Sequence, residues 1–166
     1  STKSTICSVM FPAWLWTRYP TAKVICGSHT ATLALDLSRR SRQVITSDKY
    51  RLLFPEVRLA EDQSAKGYYV NSKNGGRLAT MVGGAVTGFH AHFVIVDDPL
   101  DPKRAASDVE LKAVNDWMTE TLPTRKVDQR ICPTILIMQR LHQNCALLYL
   151  LRYMRRVIFQ IHHGLY

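Results

Sequence analysis

Three short runs constrain this chain more than any other feature: "TAKVICGS" at residues 21–28, "FVIVDDPLDP" at 93–102 and "TILIMQRLH" at 134–142. Each carries consecutive apolar positions where a half-exposed strand would alternate, the pattern of a strand covered on both faces. Helical patterns lie between them. From His29 to Ser41, Leu33, Leu37 and several alanines fall at helical spacing. From Ser107, with Glu110 three residues on as a capping box, Leu111, Val114, Trp117, Met118 and Leu122 share one helical face. "QVITS" (43–47) reads as a further strand, and "VIFQI" (157–161) as a last one after the helix-like "CALLYLLRYMRR". Around Asn74-Gly75-Gly76, residues that accept positive φ, "KGYYVNSKNGGRLATMVGG" reads as a β-hairpin. Strands alternating with helices predict an α/β domain with a mostly parallel sheet. At 166 residues the chain fits one such domain with a true core.

The second run ends on paired negative charge. Asp97 and Asp98 follow four apolar residues, and adjacent carboxylates at a buried strand end need a cation or a shared proton to offset repulsion and desolvation. In parallel α/β sheets functional groups gather beyond the carboxyl ends of strands, where Gln139 and Arg140 are also expected. Mg²⁺ with phosphate suits such a cluster, because it binds through one or two carboxylates plus phosphate oxygens. "KST" at Lys3-Ser4-Thr5 supplies the other half. A phosphate-binding loop ends in K-[ST] at a helix start, the lysine reaching the β/γ phosphates and the hydroxyl the Mg²⁺. Thr2 stands where that pattern has glycine, and the loop's first glycine and strand would precede Ser1. Pro12 is expected to end or kink the first helix.

The charge balance points the same way. Lys and Arg number 22 against 13 Asp and Glu, a net +9, and from Arg125 onward seven basic residues face the single acid Asp128. Such an excess favours a polyanionic partner. The four cysteines (Cys7, Cys26, Cys132, Cys145) form no C-x-x-C pair, which argues against a zinc knuckle or a disulfide framework. No apolar run approaches the roughly 18 residues of a membrane span.

The ordered set "KST", "FPAWLW", "KVICGS", "SDKYRLLFP", "NGGRLATMVGGAVTGFHAHFVIVDDPLDP", "DWMTETLPTR" and "ILIMQRLH" resembles the ATPase part of the large terminase subunits of tailed bacteriophages. The resemblance implies a P-loop NTPase-like three-layer sandwich, with a mostly parallel central sheet plus a β-hairpin. It implies ATP and Mg²⁺ as cofactors. Thr2, Lys3, Ser4 and Thr5 would then bind nucleotide as the end of Walker A, Ser4 and Asp97 would hold Mg²⁺, and Asp98 would take the catalytic carboxylate position more often filled by Glu. Gln139 and Arg140 lie where the family has its coupling motif. A ring motor also implies an arginine finger, for which Arg39, Arg40, Arg42 and Arg77 are candidates. The implied partners are double-stranded DNA, the portal, the small terminase subunit and further copies in a ring, in the cytoplasm of an infected or lysogenic bacterium and without a membrane. The expected organisation is a single truncated motor domain over 1–166, with 142–166 a divergent tail and the family's nuclease domain absent. Two alternatives stand beside it: a catalytically inactive, basic DNA-binding remnant, and another P-loop nucleic-acid motor such as a helicase.

Other features carry less. His90 and His92 have the i, i+2 spacing of a metal pair without an evident third ligand, and are read as a polar lead-in to the strand. The glycines of "GGAVTG" permit close approach of backbone to phosphate or DNA, or form a plain flexible connection. Trp117 is expected in the core, and of Trp14 and Trp16 one is expected at the surface.

Overall fold

The computed structural model describes residues 2–64, 67–104, 107–139 and 157–162. Its centre is a seven-stranded mixed sheet, order β2-β3-β4-β1-β5-β6-β7. The strands are β1 (Lys23–Ser28), β2 (Leu59–Ser64), β3 (Tyr68–Asn71), β4 (Gly76–Met81), β5 (Phe93–Asp97), β6 (Thr134–Gln139) and β7 (Val157–His162). From β4 to β7 the neighbours are parallel, while β2, β3 and β4 pair antiparallel. The expected hairpin is β3–β4, with Asn74 in the left-handed region at φ 64°.

The helices are α1 (Thr2–Ser4), α2 (Phe11–Arg18), α3 (Ala31–Thr46), α4 (Asp48–Leu53) and α5 (Asp108–Asp116), with π turns at Thr5–Met10 and Trp117–Thr121. They cover both faces of the sheet. The period-2 alternation of strand side chains decides which residues meet which layer. Ile25, Val94, Val96, Leu136 and Met138 pack under Leu111, Val114, Trp117, Met118 and Leu122. Val24, Cys26, Ile95 and Ile137 pack under Ala13, Leu15, Trp16 and Ile45. Asp97, two residues beyond Ile95, therefore points to the second face.

One sequence expectation is corrected and one is met. "QVITS" is not a strand: Gln43–Thr46 continues α3, because Ile45 extends the buried stripe Ala34, Leu37, Ser38, Ser41 of that helix, and packing overrides β propensity. The break expected just before Pro12 is present as a change of helix type, the π turn ending at Met10 and α2 starting at Phe11. Pro12 sits in the first turn of α2, where its missing N–H is tolerated, and the register change it demands is taken up by the π turn before it. Half of the capping box forms: Ser107 Oγ accepts from the N–H of Glu110 at 3.4 Å, while the Glu110 carboxylate accepts from Arg104 at 2.8 Å and the Ser107 N–H donates to the Arg104 carbonyl at 3.0 Å. Trp16 and Trp117 are buried and Trp14 is exposed.

Gly27 shows how closely the second helical layer seats. A Cβ there would lie 2.5 Å from Cη2 of Trp117, whose ring covers the β1 backbone. Gly27→Ala is expected to destabilise the fold by about 1–3 kcal/mol through overpacking, measurable by denaturant unfolding.

Candidate functional site

The chain leaves β1 toward β4 on one side and β5 toward β6 on the other, so the connections diverge at the β1/β5 crevice. Ligand sites in open α/β sheets lie beyond the carboxyl ends of strands at such a switch point. Ser28 of β1 and Asp97 of β5 stand opposite each other in register there.

Asp97 is the centre of the arrangement. It is buried, and its two carboxylate oxygens accept from two hydroxyls of the first helical segment: Ser4 Oγ to Oδ1 at 3.1 Å and Ser8 Oγ to Oδ2 at 2.6 Å. Ser28 Oγ donates to the Asp97 carbonyl at 2.7 Å. Residues 93 positions apart in sequence are thus joined at one carboxylate. Ser4 and Ser8, a helical turn apart, both reach it because α1 and the π turn lie along this edge of the sheet.

Asp98 takes a different path. Its φ of 46° puts it in the left-handed region, which aspartate tolerates better than most residues, and which turns its side chain away from the strand direction. Its N–H donates to the Ile137 carbonyl at 2.7 Å. Its own carbonyl accepts from the N–H of His29 at 3.1 Å and from His29 Nδ1 at 2.8 Å, which assigns the Nδ1 proton. Burial first, and then the neighbouring Asp97, raise the Asp98 carboxyl above the ordinary carboxylate range; His29 and Lys3 offset part of that rise. A half-buried carboxylate with a raised pKa, held in the left-handed backbone region at a strand end, is more basic than an ordinary carboxylate and so better suited to accepting a proton.

The other expected site residues are distributed as follows. Thr2, Lys3 and Thr5 flank Ser4 in the same segment, and Arg40 Nη2 donates to Thr5 Oγ1 at 2.9 Å. Arg39 is ion-paired with Asp36 at 2.7 Å on the exposed side of α3, the helix that also carries Arg42. Arg77 is completely buried, so it is not available to a neighbouring subunit as an arginine finger. Gln139 closes β6 beside β5. Arg140 lies outside the described residues, as do Cys145 and the helix-like stretch before β7. His92 serves the fold: its Nδ1 accepts from the Lys23 N–H at 3.0 Å, and burial followed by Lys23 lowers its pKa, which favours the neutral acceptor form. Among the described residues, no three His, Cys, Asp or Glu side chains gather as a metal-binding group.

Sequence reasoning missed Ser8, Ser28 and His29. Ser8 had a signal, its i+4 spacing from Ser4; Ser28 and His29 had one in their place at the end of β1. The hydroxyl of Ser4 and the carboxylate of Asp97 are hard oxygen donors at one point, a pair that fits a small divalent cation completing its shell with water or phosphate. No family model matches the chain, and no curated protein matches it either. Among the described residues no helix is long and apolar enough to cross a membrane.

Proposed function

We propose that this chain is the P-loop ATPase domain of a tailed-phage large terminase subunit, a Mg²⁺-dependent motor for packaging double-stranded DNA. The observation that carries this reading is the meeting of Ser4 with Asp97 at 3.1 Å, beside Asp98 and at the switch point of a mostly parallel sheet. Ser4 and Asp97 would hold Mg²⁺, which supplies charge neutralisation on phosphate oxygens. Lys3, one residue before Ser4, neutralises the β/γ phosphates. Asp98 orients the attacking water and takes its proton, a role its raised pKa suits. Gln139, at the end of the strand beside Asp97, couples the nucleotide state to the DNA-gripping surface. The net charge of +9 supports the polyanionic partner. In this reading the motor works as a ring with the portal and small subunit, in the cytoplasm of an infected or lysogenic bacterium.

The test is ATP binding and phosphate release with and without Mg²⁺. Saturable, Mg²⁺-dependent ATP binding that Asp97→Ala weakens at least tenfold is expected. Duplex DNA binding that falls steeply with salt, in a chain that binds no ATP, would instead select the inactive DNA-binding reading.

A further inference from the structure

Arg77 is the least expected group in this interior. It is wholly buried on β4, opposite Tyr69 of β3 and Val24 of β1, on the face covered by α2 and α3. Its Nη2 donates to the backbone carbonyl of Ser8 at 3.1 Å, and its guanidinium carbon lies 6.0 Å from the Tyr69 ring centroid. Nε and Nη1 have no hydrogen-bond partner among the described residues. A guanidinium keeps its charge in proteins, and burying one with so few acceptors is costly. Packing alone does not explain it, because a methionine would fill a similar volume without that penalty.

The contact with Ser8 does explain it. In an α-helix the Ser8 carbonyl would accept from the N–H of residue 12, and residue 12 is proline, which has none. The chain runs through a π turn at Thr5–Met10 immediately before that proline, and Arg77 supplies a donor to the carbonyl. Ser8 is therefore gripped at both polar groups, its carbonyl by Arg77 and its hydroxyl by Asp97 at 2.6 Å. Both charges reach the Cys26 thiol between them: burial raises its pKa, Arg77 lowers it and Asp97 raises it.

We propose that Arg77 is a positioning residue that fixes the Ser8 carbonyl, holds the π turn in register, and so sets the hydroxyls of Ser4 and Ser8 against Asp97. It touches no reacting atom. What Asp97 then binds rests on the function proposed above; the mechanical role does not.

The experiment separates the two. Amide hydrogen exchange over residues 6–10 is measured on the full chain without nucleotide, for the wild type, Arg77→Met and Arg77→Met/Pro12→Ala. Arg77→Met is expected to keep the melting temperature at or above wild type, yet to speed exchange in that segment at least tenfold. The added Pro12→Ala, which lets the segment close in the α register with the residue-12 N–H on the Ser8 carbonyl, is expected to slow it again. Mg²⁺-dependent ATP affinity should fall about 10–100-fold in Arg77→Met, as for other groups that orient metal ligands. In a Ser8→Ala background it should fall no further, since both changes break the same link. Should Arg77→Met fail to fold, Arg77→Lys, which keeps charge but loses the fork, takes its place with the same expected acceleration. Unchanged exchange in residues 6–10, or acceleration that Pro12→Ala leaves untouched, overturns the inference. Accelerated, rescuable exchange in a chain that binds no ATP would uphold Arg77 and refute the ATPase reading.

Discussion

Asp98→Asn is expected to make the folded chain more stable at neutral pH and, under the proposed ATPase function, to lower ATP turnover by about 10²–10⁴-fold, the usual contribution of a positioned general base. The two effects have one cause. Burial and the adjacent Asp97 raise the Asp98 pKa above its ordinary 3.8, so the folded state holds this proton more tightly than the unfolded chain does. The sign follows from linkage: stability from this residue is greatest in acid and falls as pH rises through the raised value, leaving a net cost when the carboxylate is charged. Asparagine removes that cost and keeps the size of the side chain. Melting temperatures of wild type and variant should coincide near or below pH 3.8 and diverge above it, the variant melting higher. A variant that melts lower at pH 7, or turns over ATP at the wild-type rate, would contradict the role given to Asp98.

The largest loss of stability is expected from Trp117→Ala, about 3–5 kcal/mol against a total of roughly 5–15 for a domain of this kind. Trp117 is buried, and its ring is the lid over the Gly27 backbone, seated among Val94, Val96, Leu111, Val114 and Leu136. Removing it opens a cavity lined by β1 and the α5 layer that the rigid sheet cannot collapse to fill. Chemical denaturation should show a markedly lower midpoint with the slope unchanged. The pairing with Gly27 sharpens the prediction. Trp117→Phe withdraws the ring atoms nearest Gly27, so Gly27→Ala should be milder in that background than alone, a coupling a double-mutant cycle reads directly.

The fold was legible where burial made the pattern loud. β1, β5 and β6 are uninterrupted apolar runs, Ser107 and Glu110 announce α5, and Asn74 marks the hairpin. It was illegible where packing decides: Val44 and Ile45 look like a strand but ride on a helix started 13 and 14 residues earlier at Ala31. β2, "LAEDQS", has too little apolar content to declare itself and is defined by pairing with β3. At the site, Ser4, Asp97 and Asp98 could be named because their residue types and strand-end position carry a chemical expectation. Ser8 and Ser28 are common residues whose importance appears only when 89- and 69-residue separations close. Arg77 is the instructive case. In sequence it is one arginine among many and looks like a surface charge; only the sheet register shows it facing inward.

The junction of Ser4 with Asp97 also orders events during synthesis. A ribosome adding about 5–20 residues per second needs roughly 5–19 s after Ser4 to deliver Asp97. Through that interval the helical segment around Ser4 lacks its carboxylate anchor, and β1 lacks β5, although β4, its other neighbour, is made earlier. The link between Ser4 and Asp97 is therefore a long-range contact that closes late, and contacts of such sequence separation slow folding.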